Sequence, residues 1–367
     1  MVVPPPIYGG VGACIMNYFR RLDHSRVYMD FFVFEDIGEE LLREIEGEGS
    51  RVVRLPGPKM LPALIFKAYA AFKAGNYDIV HANWNTLNLF TLLPACAAGV
   101  RVRISHSHSA SDRRDTLRHA AKIALRPFAR LFATHFLACS RAAAEFQFGE
   151  KLSGSGRVKL LRNAVEFDRF AFNQAARDEL RASHGLQSRF VVGHVGRFSS
   201  PKNQEFLLRL FPQVVELRPD AALVFVGDGP DMDGCERLAM RLGLEEKVFF
   251  LGRRNDANLW YSAFDVLCLS SFYEGLGMAL VEAQANGLRC VASDGITREA
   301  DVTGNVEFVS LDDPAVWAEK IVSRRRVDAA GLPALREAIA ASGYDMAREA
   351  GALTALYERL SEAEHDG

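Results

Sequence analysis

The sequence predicts an α/β protein built from two doubly wound parallel sheets. Short runs of β-branched and aromatic residues alternate with longer segments of helical period, first over 27–161 and again over 190–309. This alternation is typical of parallel sheets that are covered by helices on both faces. The 367 residues also suffice for two domains of ordinary size, each with its own core.

Two sets of six strands are expected, because each run is short, apolar and bounded by turn residues. The first set covers 27–34, 51–54, 77–81, 100–106, 135–138 and 158–161. The second set covers 190–196, 221–227, 248–251, 264–269, 289–292 and 306–309. Helical patterns between and around the strands include 11–22, 61–74, 142–148, 204–217 and 278–286.

Turn-forming and charged residues at 168–178 separate the two sets of strands. We therefore expect a first domain over 1–175 and a second over 185–345. Ligands of such sheets bind beyond the carboxyl ends of the strands, so a cleft between two such domains is the expected site. The first domain begins on a stub, Met1–Val3, where a full strand of about five residues is expected. The stub is either an unusually short strand or the remainder of a longer one.

Composition excludes several classes of protein. The 44 basic and 46 acidic residues leave a net charge of −2, whereas a dedicated nucleic-acid binder normally carries a basic excess. Six scattered cysteines are typical of buried thiols in a reducing compartment. The longest apolar stretch, 87–102, is interrupted by polar residues and is shorter than the ~20 residues that span a bilayer. We expect a cytoplasmic protein without a membrane span and without a nucleic-acid partner.

Gly9, Gly10 and Gly12 follow the stub and precede a helical run. Glycine lets the backbone approach a ligand closely, and a helix amino terminus offers free N–H groups to a phosphate. A tight turn explains the same residues equally well. The pattern is not the dinucleotide fingerprint G-x-G-x-x-G, which disfavours a nicotinamide dehydrogenase.

Two histidines, His106 and His108, close the strand at 100–106, which places at least one imidazole at the edge of the cleft. An imidazole there can bind a sugar hydroxyl or act as an acid or base near neutral pH. The alternative is a histidine that caps the next loop. No cluster of metal ligands accompanies them, and Asp231-Met232-Asp233 is better explained by the start of a helix than by a metal site. We therefore expect no metal.

The turn after the strand at 190–196 carries two cations. Gly196-Arg197 and Lys202-Asn203 lie between this strand and the helix at 204–217. Arginine can bind a phosphate through two N–H groups, lysine acts as a point charge, and the helix dipole adds to both. The pattern is that of a diphosphate site, and a solvated basic loop has the same composition.

Two glutamates, Glu274 and Glu282, follow the strand at 264–269. Gly275 and Gly277 free the backbone at the start of the helix that contains Glu282. A carboxylate beside free N–H groups can bind sugar hydroxyls, while a phosphate rests on the helix amino terminus. Two surface glutamates are the alternative, but Glu282 lies in an apolar run where an unpaired charge is costly.

The segment 112–136 combines cations with apolar residues. The two kinds interleave as in a basic amphipathic helix that lies on anionic lipid. An ordinary solvated helix face is the other interpretation. The residues that we assign to a face toward the acceptor or the membrane are His106, Arg113, Arg114, Arg118 and Lys122.

Taken together, these motifs resemble the family-4 glycosyltransferases of the two-domain GT-B fold, and in particular their bacterial exopolysaccharide-biosynthesis branch. The resemblance covers nearly the whole chain. Its most specific part runs from Glu274 to Glu282 and is similar to that family's E-x7-E donor signature. Gly196-Arg197-Phe198 with Lys202-Asn203 is similar to its diphosphate-binding element, whereas Arg162-Asn163-Ala164 departs from the family's usual Asn-Gly.

The resemblance implies two Rossmann-like domains that face each other across a cleft, with the acceptor site in the first domain and the donor site in the second. The helix over 346–367 would cross back and pack on the first domain. The implied reaction moves a sugar from a UDP- or GDP-linked diphosphate to a glycan or lipid-linked acceptor, with retention and without a metal or other cofactor. The expected location, taken from composition and from the basic segment 112–136, is cytoplasmic, with peripheral contact at the inner face of the plasma membrane as the expectation for that segment.

The resemblance also implies a role for each candidate residue. Arg197 and Lys202 would neutralise the diphosphate as it leaves, and Glu282 would hold the ribose hydroxyls. Glu274 would contact the transferred sugar, together with His108 or, as the alternative, His106. The catalytic set is then Glu274, His108, Arg197 and Lys202. The remaining donor contacts would be Gly9, Gly10, Gly196, Asn203, Leu251, Gly252, Asn255, Gly275, Leu276, Gly277 and Met278.

Two other functions stay open at this point. A sugar-nucleotide epimerase of the same fold would share the cleft and the diphosphate cations, but the spacing here singles out no acid–base pair of carboxylates. A catalytically silent sugar-nucleotide-binding subunit of a polysaccharide assembly complex would keep the binding site without turnover. Epimerisation of the donor alone would identify the first, and donor binding without transfer would identify the second.

Overall fold

The computed structural model describes residues 1–7, 10–108, 116–323, 326–328 and 330–362. The chain divides into two compact units. Unit 1 contains Met1–Ala164 and the segment that begins at Met346, and unit 2 contains Val165–Asp345. Unit 1 is thus built from two stretches of sequence, whereas unit 2 is continuous.

Unit 1 has parallel strands with helices between them. Its strands are β1 (Phe31–Val33), β2 (Val52–Arg54), β3 (Ile79–Ala82), β4 (Val102–Ser107), β5 (His135–Ala138) and β6 (Val158–Leu160). Its first seven helices are α1 (Gly10–Phe19), α2 (Glu39–Gly47), α3 (Leu61–Gly75), α4 (Leu89–Ala97), α5 (Thr116–Leu131), α6 (Arg141–Phe148) and α7 (Glu150–Ser153). The strands pair as β1-β2 and as β3-β4-β5-β6.

The stub Met1–Val3 lies at the centre of this sheet. Val2 forms parallel bridges to Phe32 of β1 and to Ala82 of β3, so it joins the two groups of strands. The Val2 amide donates a hydrogen bond to the His81 carbonyl at 2.9 Å. The stub therefore acts as a very short strand, and the turn that follows it lies on the same sheet edge as the carboxyl ends of β3 and β4.

Unit 2 has a six-stranded parallel sheet in the order β12-β11-β10-β7-β8-β9. Its strands are β7 (Phe190–Val195), β8 (Ala221–Val226), β9 (Val248–Phe250), β10 (Val266–Leu269), β11 (Arg289–Ser293) and β12 (Val306–Val309). Its helices are α8 (Phe167–Phe170), α9 (Gln174–Ser183), α10 (Gln204–Leu217), α11 (Met232–Arg241), α12 (Ala257–Ala263), α13 (Met278–Ala285), α14 (Pro314–Ser323) and α15 (Leu332–Ala341). The direction of strand addition reverses between β7 and β10, which is the switch point where doubly wound sheets bind ligands.

Each predicted strand is present among the described residues, and all but one begin and end within two residues of the predicted bounds. The exception is the first, predicted over 27–34, which pairs only over Phe31–Val33. Asp30 precedes this pairing with a buried side chain that accepts hydrogen bonds from the Arg51 amide at 2.8 Å and the Tyr77 hydroxyl at 2.5 Å. These side-chain bonds take the place of a strand ladder at this position.

The two units divide between Ala164 and Val165, ahead of the boundary expected between 175 and 185. Helix α9 belongs to unit 2 because Arg177 and Arg181 both form ion pairs with Asp265, at 2.5 and 2.6 Å. The charged residues that suggested a linker are therefore part of a packed helix.

Helix α16 (Met346–Glu362) returns the chain to unit 1. Leu353 and Leu356 are buried in the hydrophobic core of that unit. Arg26 also forms an ion pair with Glu358 on the exposed side of the helix. This last helix therefore completes the core of the unit that begins the chain.

Candidate active site

In unit 2, the predicted site loops meet at the switch point. The loop after β7 carries Arg197 and leads to α10, and the loop after β10 carries Glu274 and leads to α13. The Phe272 amide donates to the Pro201 carbonyl at 2.8 Å, which joins the two loops. Because β7 and β10 are neighbours, residues far apart in sequence share one edge of the sheet.

Lys202 and Glu274 form an ion pair between these loops. The Lys202 Nζ lies 2.5 Å from Glu274 Oε1, and the Ser271 hydroxyl donates to the same oxygen at 2.7 Å. The side chains are 25% and 12% exposed, so the pair is partly shielded from water. Asn203, in the left-handed conformation with a φ of 51°, turns the chain from Lys202 into α10. A pair of this kind can exchange partners, because Lys202 attracts phosphate and Glu274 accepts from hydroxyls.

Arg197 lies in the same loop and its side chain is exposed. Its guanidinium forms no hydrogen bond or ion pair with any residue that the structure describes, whereas its carbonyl accepts from Gln204 Nε2 at 2.9 Å. The backbone of this loop is therefore fixed while the charged group stays available to a ligand.

His194 and Gln204 support this loop and were not singled out by the sequence patterns. Both are buried, His194 Nδ1 donates to the Cys268 carbonyl at 3.0 Å, and Gln204 Nε2 lies 3.3 Å from His194 Nε2. Burial lowers the pKa of His194 to about 3, and the nearby charge of Lys202 adds to the effect. The only sequence signal of this role is His194 itself, which is a polar residue within the otherwise apolar strand β7.

Glycines bring the loops after β7, β8 and β9 into backbone contact. A Cβ at Gly227, whose φ is 140°, would lie 2.1 Å from the Gly196 carbonyl oxygen. A Cβ at Gly229 would lie 2.1 Å from the Phe198 carbonyl oxygen. The Gly227 amide also donates to the Gly252 carbonyl at 2.8 Å. The predicted donor contacts Gly196 and Gly252 therefore belong to one continuous backbone surface.

The other predicted contacts near these loops have different surroundings. Leu251 is partly buried and its amide donates to the Phe225 carbonyl at 3.0 Å, and Asn255 is exposed. Leu276 is 3% exposed and belongs to the core of unit 2. Its side chain therefore packs inside the unit, and the donor contact at Leu276, which would use its backbone, stays a prediction.

Helix α13 begins at Met278, directly after Gly277 in the left-handed conformation with a φ of 86°. Gly277 has no side chain that could cap the helix. The first N–H groups of a helix lack acceptors within it and attract anions. Gly277 and Met278 therefore lie where a phosphate group is favoured.

Glu282 lies on α13 and is held by Tyr261 of α12. The Tyr261 hydroxyl donates to Glu282 Oε2 at 2.5 Å. Burial raises the pKa of Glu282, while the hydrogen bond from Tyr261 and the charges of Arg169 and Lys202 act in the opposite direction. The carboxylate in the apolar run is thus paired, and its remaining lone pairs can accept from ligand hydroxyls.

In unit 1, three buried imidazoles lie side by side at the ends of β3 and β4. The ring centroids of His106 and His108 are 3.9 Å apart. On the other side, His106 Nδ1 lies 3.0 Å from His81 Nε2, and His81 Nδ1 lies 2.6 Å from the Tyr357 hydroxyl of α16. Burial lowers the pKa of His108 to about 3 and lowers the pKa values of His81 and His106 as well. Neutral rings favour a hydrogen-bonding role over acid–base chemistry near pH 7.

Two asparagines in the segment after β3 hold His108, and the sequence patterns singled out neither of them. Asn83 Oδ1 lies 2.8 Å from His108 Nε2, and Asn85 Oδ1 accepts from the His108 amide at 2.8 Å. Asn85 adopts a left-handed conformation with a φ of 52°. Asn83 and Asn85 lie just after the carboxyl end of the buried strand β3. That position could have identified them as site candidates from the sequence.

The model of "Glycosyltransferase Family 4" matches residues 8–169, and that of "Glycosyl transferases group 1" matches residues 176–322. EpsF of Bacillus subtilis, which is named as a glycosyltransferase, is 36% identical over 370 residues, which cover 98% of this chain and 95% of EpsF. The chain belongs to the family-4 glycosyltransferases. Another relative, a UDP-Gal:α-D-GlcNAc-diphosphoundecaprenol α-1,3-galactosyltransferase of Escherichia coli, is 28% identical over 63% of this chain and 61% of its own length.

The glycosyltransferase also shares its fold with solved structures. HepE of Anabaena in complex with UDP and glucose superposes with a TM-score of 0.73 at 21% identity, over 100% of this chain and 97% of HepE. Sucrose-phosphate synthase from Thermosynechococcus elongatus gives a TM-score of 0.76 at 21% identity, over 99% of each chain. The predicted α/β class and GT-B fold are confirmed, and membership of a transferase family disfavours the epimerase.

The glycine turn of this glycosyltransferase is described in part. Gly9 lies outside the described residues, and Gly10 is the first residue of α1, where a Cβ would meet open space. Gly12 is tightly packed, since a Cβ there would lie 1.7 Å from the Ile7 carbonyl oxygen. Close packing of α1 on the turn explains Gly12, and the phosphate contact at Gly10 stays a prediction.

The basic segment of the glycosyltransferase also falls partly outside the described structure. Arg113 and Arg114 lie outside the described residues. Arg118 and Lys122 lie on α5, but their side chains are outside the description. The predicted acceptor or membrane face at these four residues therefore stays a prediction.

The described part of α5 presents a different face from the one expected. Arg126 packs over the Phe146 ring at 4.1 Å, and the Arg130 guanidinium donates to the Phe148 carbonyl at 2.9 Å. These two cations turn toward α6 instead of standing free in solvent. Among the described side chains of α5, the large apolar ones Ile123, Phe128 and Leu131 are exposed.

Within the described ranges, no three His, Cys, Asp or Glu side chains of the glycosyltransferase lie together as ligands for a metal ion. Asp231 is the N-cap residue of α11 and Asp233 lies in its first turn, so both mark the start of a helix. None of the described helices combines the length and the apolar character that a membrane span requires.

Proposed function

We propose that this glycosyltransferase moves a sugar from a UDP- or GDP-linked diphosphate to a glycan or lipid-linked acceptor in exopolysaccharide biosynthesis. Unit 2 binds the donor and unit 1 binds the acceptor. The observation that carries the proposal is the Lys202–Glu274 pair at the switch point of unit 2, upstream of the amino terminus of α13. This arrangement offers a cation and helix N–H groups to a diphosphate, and a carboxylate to a sugar.

The relatives support this choice of donor and acceptor. HepE was solved with UDP and glucose, and the Escherichia coli relative is named for a UDP-galactose donor and a diphosphoundecaprenol-linked acceptor. A nucleotide-diphosphate donor agrees with the cationic loop at Arg197 and Lys202. No nucleic-acid partner is part of the proposal.

We propose retention at the anomeric carbon by attack on the face from which the diphosphate leaves. The acceptor oxygen forms a bond to the anomeric carbon as the bond to the phosphate oxygen breaks, and the hydroxyl proton passes to that phosphate oxygen. No protein nucleophile and no metal ion are required. Lys202 and Arg197 contribute by neutralising the charge that grows on the diphosphate.

Donor binding also changes the partners of the ion pair. In the free protein, Lys202 and Glu274 satisfy each other. In the bound state, Lys202 contacts a phosphate oxygen and Glu274 accepts from a sugar hydroxyl. Glu282, fixed by Tyr261, accepts from the ribose hydroxyls. This exchange lets a partly shielded site bind a charged donor without leaving either group unpaired.

The proposal is tested first by donor binding and then by transfer. We expect one class among UDP-, GDP- and ADP-linked sugars to raise Tm, because a ligand at 100 times its Kd adds about 2.7 kcal/mol to the free energy of unfolding. That donor should then give product only when a glycan or lipid-linked acceptor is present, with retained anomeric configuration by NMR and undiminished turnover in EDTA.

Three results would contradict the proposal in different ways. Epimerised sugar from the donor alone would identify an epimerase. A rise in Tm without transfer to any lipid-linked or glycan acceptor would identify a silent binding subunit. Inversion of the anomeric carbon, or loss of turnover in EDTA that is restored by a divalent cation, would refute the mechanism while leaving the transferase in place.

We also propose that α5 makes peripheral contact with an anionic membrane. Its exposed residues include Leu131, which lies three positions after Phe128 and eight after Ile123, so Leu131 is on the same side of the helix as each of them. The cations at 113–122 directly precede these exposed apolar residues in the sequence. Apolar residues that enter the interface, together with basic residues that attract anionic lipid, are the usual basis of reversible membrane binding.

Sedimentation with vesicles tests this contact. We expect the protein to bind vesicles of mixed anionic and zwitterionic lipid but not purely zwitterionic ones, and to bind less as salt rises. The double change Phe128→Ser and Leu131→Ser should lower the bound fraction at least about threefold. Met240→Ser, at an exposed methionine of unit 2, is the control and should leave binding unchanged. Equal binding by both variants would exclude α5 as the contact.

A further inference from the structure

Asn83 has a fixed orientation at the end of β3. Its Nδ2 group donates to the Val2 carbonyl at 3.1 Å and to the His81 carbonyl at 3.3 Å. Carbonyl oxygens only accept hydrogen bonds, so the amide nitrogen must face them. The Asn83 Oδ1 atom therefore faces His108 Nε2, at 2.8 Å.

This orientation determines where His108 carries its proton. Asn83 Oδ1 can only accept, so His108 Nε2 must donate. Because burial keeps the ring neutral, with a pKa of about 3, the other ring nitrogen is left with a lone pair. His108 Nδ1 is buried and has no hydrogen-bond partner among the described residues. An acceptor in that state is one that a ligand can satisfy.

The neighbouring ring has the opposite character. The buried Tyr357 hydroxyl, whose pKa is raised by burial, has no acceptor among the described residues other than His81 Nδ1. His81 Nε2 must then donate to His106 Nδ1, which leaves the proton of His106 on Nε2. This N–H group is also buried and without a partner in the described chain. The end of β4 thus presents one acceptor and one donor.

We infer that Asn83 is a positioning residue that holds His108 as a hydrogen-bond acceptor for a neutral hydroxyl of the ligand. The inference rests on the proposed transfer of a sugar. A hydroxyl both donates and accepts, so it matches the lone pair of His108 and the N–H group of His106. A phosphate dianion offers only acceptors and does not match His108, so the site selects a sugar hydroxyl over a phosphate.

No anion faces His108 at neutral pH in the described structure. The titratable groups around it are the imidazoles of His81 and His106, the Tyr357 hydroxyl and the amino group of Met1, whose charge acts on His81. Burial lowers the pKa of this amino group to about 5, so it is largely uncharged at pH 7. Among the described residues, a carboxylate placed at residue 83 would therefore be the one charged group in contact with the ring.

Asn83→Asp tests the role, with Asn85→Asp as the matched control. Both variants add one negative charge to the segment that holds His108, but only the first places it on the imidazole. A carboxylate that accepts from Nε2 stabilises the imidazolium, so the pKa of His108 should rise by at least about two in Asn83→Asp. In Asn85→Asp we expect less than half of that rise, because the carboxylate contacts the backbone.

Two measurements on the full chain decide the outcome. In histidine labelled with ¹⁵N, long-range proton–nitrogen correlations at pH 7 should show wild-type His108 protonated on Nε2 and unprotonated on Nδ1. This measurement needs no variant, so it holds even if Asn83→Asp fails to fold. A proton on Nδ1 in the wild-type protein would overturn the inference.

The second measurement is kcat/KM for transfer between pH 8 and pH 5. In Asn83→Asp, lowering the pH forms the imidazolium and removes the lone pair on Nδ1. A pKa that has risen by about two or more, from about 3, leaves at least about half of His108 protonated at pH 5, so kcat/KM should fall at least about twofold relative to wild type. Asn85→Asp should follow the wild-type profile. Parallel profiles in all three proteins would refute the inference. Absence of transfer by every protein would refute the proposed function, and the role of Asn83 would then be decided by the NMR measurement alone.

Discussion

Alanine at Lys202 is expected to lower kcat by about 30- to 1,000-fold, which corresponds to about 2–4 kcal/mol of lost transition-state stabilisation. Lys202 is the shielded cation of the site, and its charge acts in a region with little water. Arg197→Ala should lower kcat at least about tenfold, since its exposed guanidinium is more strongly screened. Steady-state rates at saturating donor and acceptor measure both effects.

Loss of stability must be separated from loss of catalysis in this experiment. Lys202→Ala leaves the Glu274 carboxylate with Ser271 as its remaining side-chain partner in the structure, which lowers the free energy of unfolding by about 1–3 kcal/mol. The double variant Lys202→Met and Glu274→Gln removes both charges, so it should recover Tm but not turnover. Arg209→Ala, at an exposed cation of α10, is the control and should keep wild-type turnover. Near wild-type kcat in both Lys202→Ala and Arg197→Ala would refute the assignment of the diphosphate site.

Gly227→Ala should disrupt the backbone surface on which the donor is expected to rest. The new Cβ would lie 2.1 Å from the Gly196 carbonyl oxygen, on a residue with a φ of 140°. The loops after β7 and β8 must then separate, which we expect to lower the free energy of unfolding by about 2 kcal/mol or more. We also expect the Kd for the nucleotide sugar to rise at least about tenfold.

Gly234→Ala provides the matched control in the same unit. Gly234 lies within α11, and a Cβ there meets nothing within 4 Å. Alanine in a helix interior is better than glycine by about 0.5–1 kcal/mol, so this variant should raise Tm slightly and leave the Kd unchanged. Equal Tm and Kd for the two variants, measured by thermal unfolding and calorimetry, would show that the loops do not need Gly227.

The strands and the order of the units were predictable because their causes are local in sequence. The run Ala221–Val226 is short, apolar and bounded by turn residues, which is typical of a strand inside a covered parallel sheet, and the structure buries it at every position. The glutamates Glu274 and Glu282 were predictable as site candidates for a similar reason. Glycines and a helix start accompany them within a few residues.

The partners of these residues were not predictable from the sequence, because the fold brings them from elsewhere. Tyr261 reaches Glu282 from the preceding helix, and no spacing rule connects the two. Tyr357 meets His81 across 276 positions of sequence. Leu276 lies within the donor motif, but its side chain belongs to the core. Side-chain direction, more than position in a motif, separated contacts of the site from contacts of the core.

The discontinuity of unit 1 has a consequence for how the protein is made. Val165 and Asp345, the first and last residues of unit 2, form a parallel bridge. Unit 2 is therefore one continuous insertion between the two stretches of unit 1. A ribosome releases residues in order, and units of this kind fold as they emerge. Synthesis of unit 1 begins first, but its core is completed last, because Leu353 is added only after unit 2 has been synthesised. A nascent chain stopped at 345 would carry a finished unit 2 beside an open apolar surface, which is the kind of intermediate that chaperones and proteases bind.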